Sequence, residues 1–224
     1  MRKYKTEMHC HSSEVSGCSS VDVKGVVEKY IKHGYSTVVL TNHFWSCDDL
    51  EKYKAKVERL FEVCAEARRI AGDRLNIIDG VEIALDDDND YLLYGVTKEF
   101  LLSLPHISDL EAHELRAKAS DAGMILIHAH PLRYNQRHLH PSAIDGYEIF
   151  NGHPEQESNN DAAELMFGRM KGKIFTSGTD HHDPHHVPNS GIVTEKPIKT
   201  KEDLLATLRS GDYSIIKNGE VFDL

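Results

Sequence analysis

The chain has 224 residues, a formal net charge of −10, 40% hydrophobic and 28% charged residues. That balance fits one soluble domain with a substantial core. No apolar run reaches the about 18 residues of a membrane span, and so acidic a chain repels a phosphate backbone, which weighs against a general nucleic-acid binder. Four cysteines without a C-x-x-C pair fit reduced thiols better than a disulfide scaffold. The basic start has no apolar stretch behind it, so no signal peptide is expected and the expected location is the cytoplasm.

In chain order, residues 4 to 9 read as a first strand running into His9-Cys10-His11, where a period of two puts both imidazoles on one side. Asp22 caps an expected helix to about His33, stopped by Gly34. The β-branched run Ser36 to Thr41 leads into Asn42-His43. Residues 49 to 71 carry Leu50, Tyr53, Val57, Leu60, Phe61 and Cys64 on one helical stripe, ended by Gly72. Leu75 to Ile78 runs into Asp79-Gly80-Val81-Glu82; an acidic loop, Asp86 to Asp90, precedes the strand Tyr91 to Val96. Ser108, with Glu111 completing a capping box, starts a helix to about Ala122. Met124 to Ile127 is the clearest buried strand and ends in His128-Ala129-His130-Pro131; residues 132 to 141 are basic and irregular. Gly146 to Phe150 is a strand before Asn151-Gly152-His153, and a helix covers 157 to 170. Lys173 to Ser177 ends in Gly178-Thr179-Asp180-His181-His182. A proline- and histidine-rich loop, a helix from 201 to 210 and a short β-like tail complete the chain. Alternating strands and helices with no linker or internal repeat argue for a single domain over residues 1–224 with a mainly parallel α/β sheet, open or closed.

The chain has 15 histidines, and they concentrate at strand ends: His9 and His11, His43, His130, and His182 beside Asp180, with Glu82 in the same position. In α/β folds such ends share one face. Mixed imidazole and carboxylate groups suit Zn, Mn or Fe better than calcium, and so many ligands imply two or three divalent ions. Such clusters clamp a phosphoryl group and lower the pKa of a bound water.

Together, His9-Cys10-His11-Ser12, Thr41-Asn42-His43, Gly80-Val81-Glu82, Ala129-His130-Pro131 and Gly178-Thr179-Asp180-His181-His182 resemble the PHP (polymerase and histidinol phosphatase) superfamily. The resemblance implies a distorted (β/α)7 TIM-like barrel with a trinuclear metal centre that hydrolyses phosphoesters. It implies metal ligation by His9, His11, His43, Glu82, His130, Asp180 and His182. The chain departs from the family pattern at three places. Asn42 replaces an aspartate, and asparagine can still accept a hydrogen bond. About eight residues after His9 the family carries His or Asp, where this chain has Gly17, flanked by Glu14 and Cys18; Glu14 is the chosen substitute ligand. Asp90 stands where the family has a histidine and is also taken as a ligand.

Arg133 is expected to fork onto a phosphate, with Arg137 equally a solvated loop residue, and Asp180 or His182 to handle the leaving-group proton. His128 is assigned to a supporting or core role, His181 faces away from His182, His185 and His186 are loop residues, and His153 either lines the pocket or belongs to its loop. The expectation is a phosphomonoesterase for a small phosphorylated metabolite, not long nucleic acid and not a membrane. The alternatives are a phosphodiesterase or exonuclease on short oligonucleotides, and a noncatalytic metal-binding module.

Overall fold

A computed structural model describes residues 2–223. In chain order its elements are β1 (Tyr4–Glu7), α1 (Val23–Lys32), β2 (Tyr35–Leu40), β3 (His43–Phe44), α2 (Leu50–Ala71), β4 (Asn76–Ala84), β5 (Asp90–Tyr94), α3 (Lys98–Leu102) and α4 (Ala112–Asp121). Then follow β6 (Ile125–His128), β7 (Gly146–Asn151), α5 (Asn160–Phe167), β8 (Ile174–Gly178), β9 (Gly191–Thr194), α6 (Lys201–Ser210), β10 (Ser214–Lys217) and β11 (Glu220–Asp223).

The helices begin and end where local chemistry directs. Asp22 accepts a 2.7 Å hydrogen bond from Gly25 N at the start of α1, and Gly34 takes the left-handed conformation just past its end (φ 72°), which costs a glycine little. Asp49 caps α2 in the same way. The helix expected from Ser108 instead starts at Ala112, with Glu111 and Glu114 as its capping box. Ser108 is held elsewhere: its hydroxyl donates to the Ala84 carbonyl at 2.9 Å, and its backbone N–H to Ser46 Oγ.

The strands form one curled sheet in the order β11-β10-β9-β1-β2-β4-β5-β6-β7-β8, with β3 pairing β4 off this path. β1, β2 and β4 are mutually parallel, as are β6, β7 and β8. β5 runs against both of its neighbours. Residues 85–89 between β4 and β5 are too few for a crossover, which takes a dozen or more residues, so a hairpin is the only connection open to them. β9, β10 and β11 add an antiparallel extension beyond β1. This mixed α/β sheet is consistent with a distorted barrel, although its antiparallel strands depart from a strict strand–helix repeat.

The curl brings the last parallel strand back toward the first. Beyond their named ends, Asp180 N donates to the His9 carbonyl (2.9 Å) and His11 N to the His181 carbonyl (3.1 Å). Gly178 permits the approach: a Cβ there would lie 2.3 Å from His9 Cβ and 2.7 Å from Glu148 Oε1. A large apolar cluster built around Leu92, Leu93, Leu126 and Ile127 fills the interior. A second, with Val26, Val27, Tyr30 and Val38, seats α1. No helix of the described residues is long and apolar enough to cross a membrane.

Candidate metal centre

The parallel strands all present their C-terminal ends to one rim, and the reversed β5 presents its start, Asp90, to the same rim. His9 and His11 follow β1, His43 opens β3, Glu82 lies in β4, His130 follows β6, and Asp180 and His182 follow β8. The fold thus brings these residues together from distant parts of the chain.

Glu82 lies at the middle. Its Oε1 is 3.2 Å from His9 Nε2 and 3.1 Å from His130 Nε2; its Oε2 is 3.3 Å from His11 Nε2 and 2.9 Å from His43 Nδ1. Asp180 Oδ1 is 3.3 Å from His9 Nε2, from His11 Nε2 and from His182 Nδ1. Three overlapping groups each converge on a point: His9, Glu82 and His130; His9, His11 and Asp180; His11, His43 and His182. His9, His11, Glu82, His130 and Asp180 are buried.

The protons on these imidazoles are fixed from behind. His9 Nδ1 donates to Glu148 Oε1 (3.0 Å), which leaves Nε2 as the ring nitrogen facing Glu82 and Asp180. His11 Nδ1 donates to Ser16 Oγ (3.1 Å), whose own proton goes to Asn42 Oδ1 (2.9 Å). Asn42 Oδ1 also accepts from Ser12 N at 2.7 Å, so the asparagine performs the acceptor role expected of it. His182 Nδ1 donates to the Asp180 carbonyl at 2.9 Å. Such partners orient ligating imidazoles and raise their basicity.

His9 Nε2, His11 Nε2 and Glu82 Oε2 are buried with no hydrogen-bond partner. Unpartnered buried polar atoms are costly, and here they point at one another. The donor set therefore fits divalent cations of the Zn, Mn or Fe class, whose preferred ligands are these nitrogens and oxygens. The electrostatics agree. Burial pushes the Glu82 carboxyl up, but His43 and His9 outweigh it and hold it well below the usual range; for Asp180, His9, His11 and Arg133 do the same. Both stay ionised. Burial, with His43 beside it, holds His11 well below its ordinary value. His130 (φ 29°) and Asp180 (φ 52°) both hold left-handed backbone conformations, the kind of local strain that concentrates at functional sites.

The remaining expected residues fall into place around this core. Asp90 Oδ2 is 4.0 Å from His130 Nε2, at the edge of the cluster, and accepts from Gln136 Nε2. Glu14 is not brought to the cluster. Its Oε1 accepts from Val23 N at 2.9 Å, at the start of α1, where a carboxylate satisfies a free helix N–H and opposes the helix dipole. Cys18, the other substitute considered, lines the pocket with His43 and His182. Cys18 is exposed; partial desolvation raises its thiol pKa, but hydrogen bonds with those two histidines lower it to about 6. Arg133 Nη2 reaches Asp180 Oδ2 (2.8 Å) and Asn151 Oδ1 (2.9 Å), while its buried Nε has no partner. Arg137 lies outside, paired with Asp88 at 2.6 Å. His128 Nε2 donates to Gln136 Oε1 (3.0 Å), and its ring stacks on Tyr91. His181 is buried facing Tyr30.

Three groups, Glu148, Glu7 and Ser16, were not singled out from the sequence, and His186 was placed there only as a loop residue. Glu148, inside β7, also accepts from His130 N and Asn151 Nδ2; a carboxylate in the middle of a buried strand demands such partners, and that is the signal that could have found it. Glu7 accepts from Met8 N, His9 N, Tyr30 and Thr179. His186, expected in a loop, is buried and lines the pocket with His153 and Glu155. Ser16 was passed over because an isolated serine carries no pattern. Glu155 N donates to His153 Nδ1 and His182 N to His186 Nδ1, both at 3.2 Å. An imidazole that accepts at Nδ1 carries its proton on Nε2, so these two rings offer N–H donors, and the His153-Glu155-His186 group is better suited to oxygen atoms of a substrate than to a cation. The pocket over the whole centre encloses about 310 Å³.

No protein-family model and no curated protein matches the sequence. Solved structures do match the fold. One is a two-domain protein from Bacteroides vulgatus ATCC 8482 containing a predicted PHP-like metal-dependent phosphoesterase (TM-score 0.66, 14% identity, 97% of this chain and 66% of that one). Another is PsfC from Pseudomonas syringae PB-5123 (TM-score 0.68, 16% identity, 97% and 92%). A third is the lesion-specific endonuclease PfuEndoQ from Pyrococcus furiosus (TM-score 0.67, 15% identity, 96% and 58%). The chain therefore shares its fold with these structures, one of which contains a predicted PHP-like metal-dependent phosphoesterase. The chain spans 66% of the first of these structures and 58% of the endonuclease.

Proposed function

We propose that the chain is a metal-dependent hydrolase acting on a phosphomonoester of a small molecule. The observation that carries this reading is the convergence of four imidazoles and Asp180 around Glu82, with three buried ligand atoms unpartnered. His9, His11, His43, Glu82, His130, Asp180 and His182 would hold two or three Zn, Mn or Fe ions, with Asp90 at the edge. Bound there, such ions supply an activated water and charge neutralisation at phosphorus.

The chain's own residues do the rest. Arg133, fixed on Asp180 and Asn151, lines the pocket and offers its guanidinium to a phosphoryl oxygen. His153 and His186 add uncharged N–H donors. Asp180 is committed on both oxygens, to histidines through Oδ1 and to Arg133 and Asn151 through Oδ2, so the leaving-group proton falls to His182. Its pKa is lowered by burial but raised overall by hydrogen bonding to Cys18 and the charge of Asp180. With two ions bound, Nε2 of His182 is free to give that proton; with three, His182 serves as a ligand. A substrate of modest size suits the pocket volume and the net charge of −10.

The endonuclease neighbour supports a second reading, a phosphodiester substrate. The test is phosphate release by the purified, Mn²⁺-loaded chain from paired mono- and diesters. Turnover of monoesters that chelation abolishes is expected. Turnover of diesters alone would favour the second reading, and no turnover of either with full metal loading would overturn both.

A further inference from the structure

Beside the metal centre lies a second cavity of about 430 Å³, lined by Glu14, Val15, His43, Phe44, Trp45, Lys52, Ala55, Lys56 and Arg59. His43 belongs to both cavities, so the second opens directly alongside the place where a phosphoryl group would sit. Its character differs from that of the centre. Val15, Phe44, Ala55 and the ring of Trp45 make its surface, and Trp45 is 44% exposed, unusual for so large an apolar side chain. Three cations from α2 rim it in an otherwise acidic chain. Lys52 and Arg59 lie near Asp49 and Glu62. Lys56 has no carboxylate partner among the described residues and stands 4.5 Å from the centre of the Trp45 ring. A mostly apolar cavity of this size with a few convergent polar groups is the usual form of a small-molecule site.

We propose that this cavity receives the alcohol portion of the substrate, and that this portion carries a planar aromatic ring, as a nucleoside does. The ring stacks on Trp45, one face of which Lys56 already covers, and the positive rim favours a ligand with additional negative charge. His43 stands between the two compartments, so the ester bond spans from the metal centre into the aromatic cavity. This inference rests on the phosphoesterase reading and deepens it by naming the substrate class.

The sequence contains a single tryptophan, so intrinsic fluorescence reports on this cavity alone. Mn²⁺-loaded protein is titrated with adenosine 5′-monophosphate and, separately, with glycerol 2-phosphate. Saturable quenching by the nucleotide and little change with glycerol phosphate are expected. In turnover, Trp45→Ala should raise KM for the nucleotide about tenfold, leave kcat within about twofold and leave KM for glycerol phosphate unchanged; Trp45→Phe should restore most of the loss. Equal effects on the two esters, or no quenching by the nucleotide, would overturn the assignment while leaving the phosphoesterase reading intact. If neither ester is hydrolysed, that reading fails, and the fluorescence titration still decides whether the cavity binds an aromatic phosphate.

Discussion

Glu148 illustrates how much of the centre depends on residues that would touch no ion. It takes the His9 Nδ1 proton, the His130 N–H and the Asn151 amide at once. Glu148→Gln replaces one acceptor oxygen by a donor and removes the charge that favours the right His9 tautomer. Metal affinity should fall about 10–100-fold, measured by competition with a chromogenic chelator; unchanged affinity would remove Glu148 from the site. Glu14 is the opposite case. Glu14→Ala should cost about 1 kcal/mol in denaturant unfolding through the lost helix-end hydrogen bond, with the ion content unchanged. The candidate ligands were legible because each follows a strand that the apolar pattern marks, and imidazoles and carboxylates are scarce at such ends without a reason. Glu14, expected as a ligand, is not brought to the cluster, because proximity in sequence to His11 says nothing about direction: one of its carboxylate oxygens meets the start of α1.

At the level of elements, the parallel strands were readable from β-branched runs and the helices from their caps. The reversal of β5 was readable too, from a connection too short for a crossover, but alternation of strand and helix was weighed more heavily. β9 was missed because Gly191-Ile192-Val193-Thr194 is only four residues long and lies beyond a loop rich in proline and histidine. Gly178 shows how an element end positions chemistry. Gly178→Ala would place a methyl group 2.3 Å from His9 Cβ. The expected result is a loss of about 1–3 kcal/mol in urea unfolding of the chelated protein, together with weakened metal binding. Stability equal to the parent's would contradict the close packing of β8 against the end of β1.

For the molecule as a whole, buried histidines make stability depend on pH. Burial lowers His128 to about 4 and His181 to about 3. The unfolded chain takes up these protons near pH 6.5 and the folded chain only at lower pH, so stability is retained above about 6.5 and falls as the pH drops toward 4. Glu7 works in the other direction. Burial pushes it up to about 7 despite its hydrogen bonds, so the folded chain takes up that proton first, adding stability as pH falls from 7 toward 4.5. Comparing chelated wild type with His128→Gln isolates the histidine: the variant should lose less stability between pH 6.5 and 4. An identical slope would contradict a neutral, buried His128.

All of these features converge on one property, a rim of strand ends whose shared donor atoms would hold several cations. The most direct test is the number of ions per chain, measured by inductively coupled plasma mass spectrometry after loading with Mn²⁺ or Zn²⁺ and desalting. Two or three ions per chain in the wild type, falling in Glu82→Ala because all three parts of the cluster meet at that carboxylate or its neighbours, is the expected result; one ion or none in the wild type would contradict it.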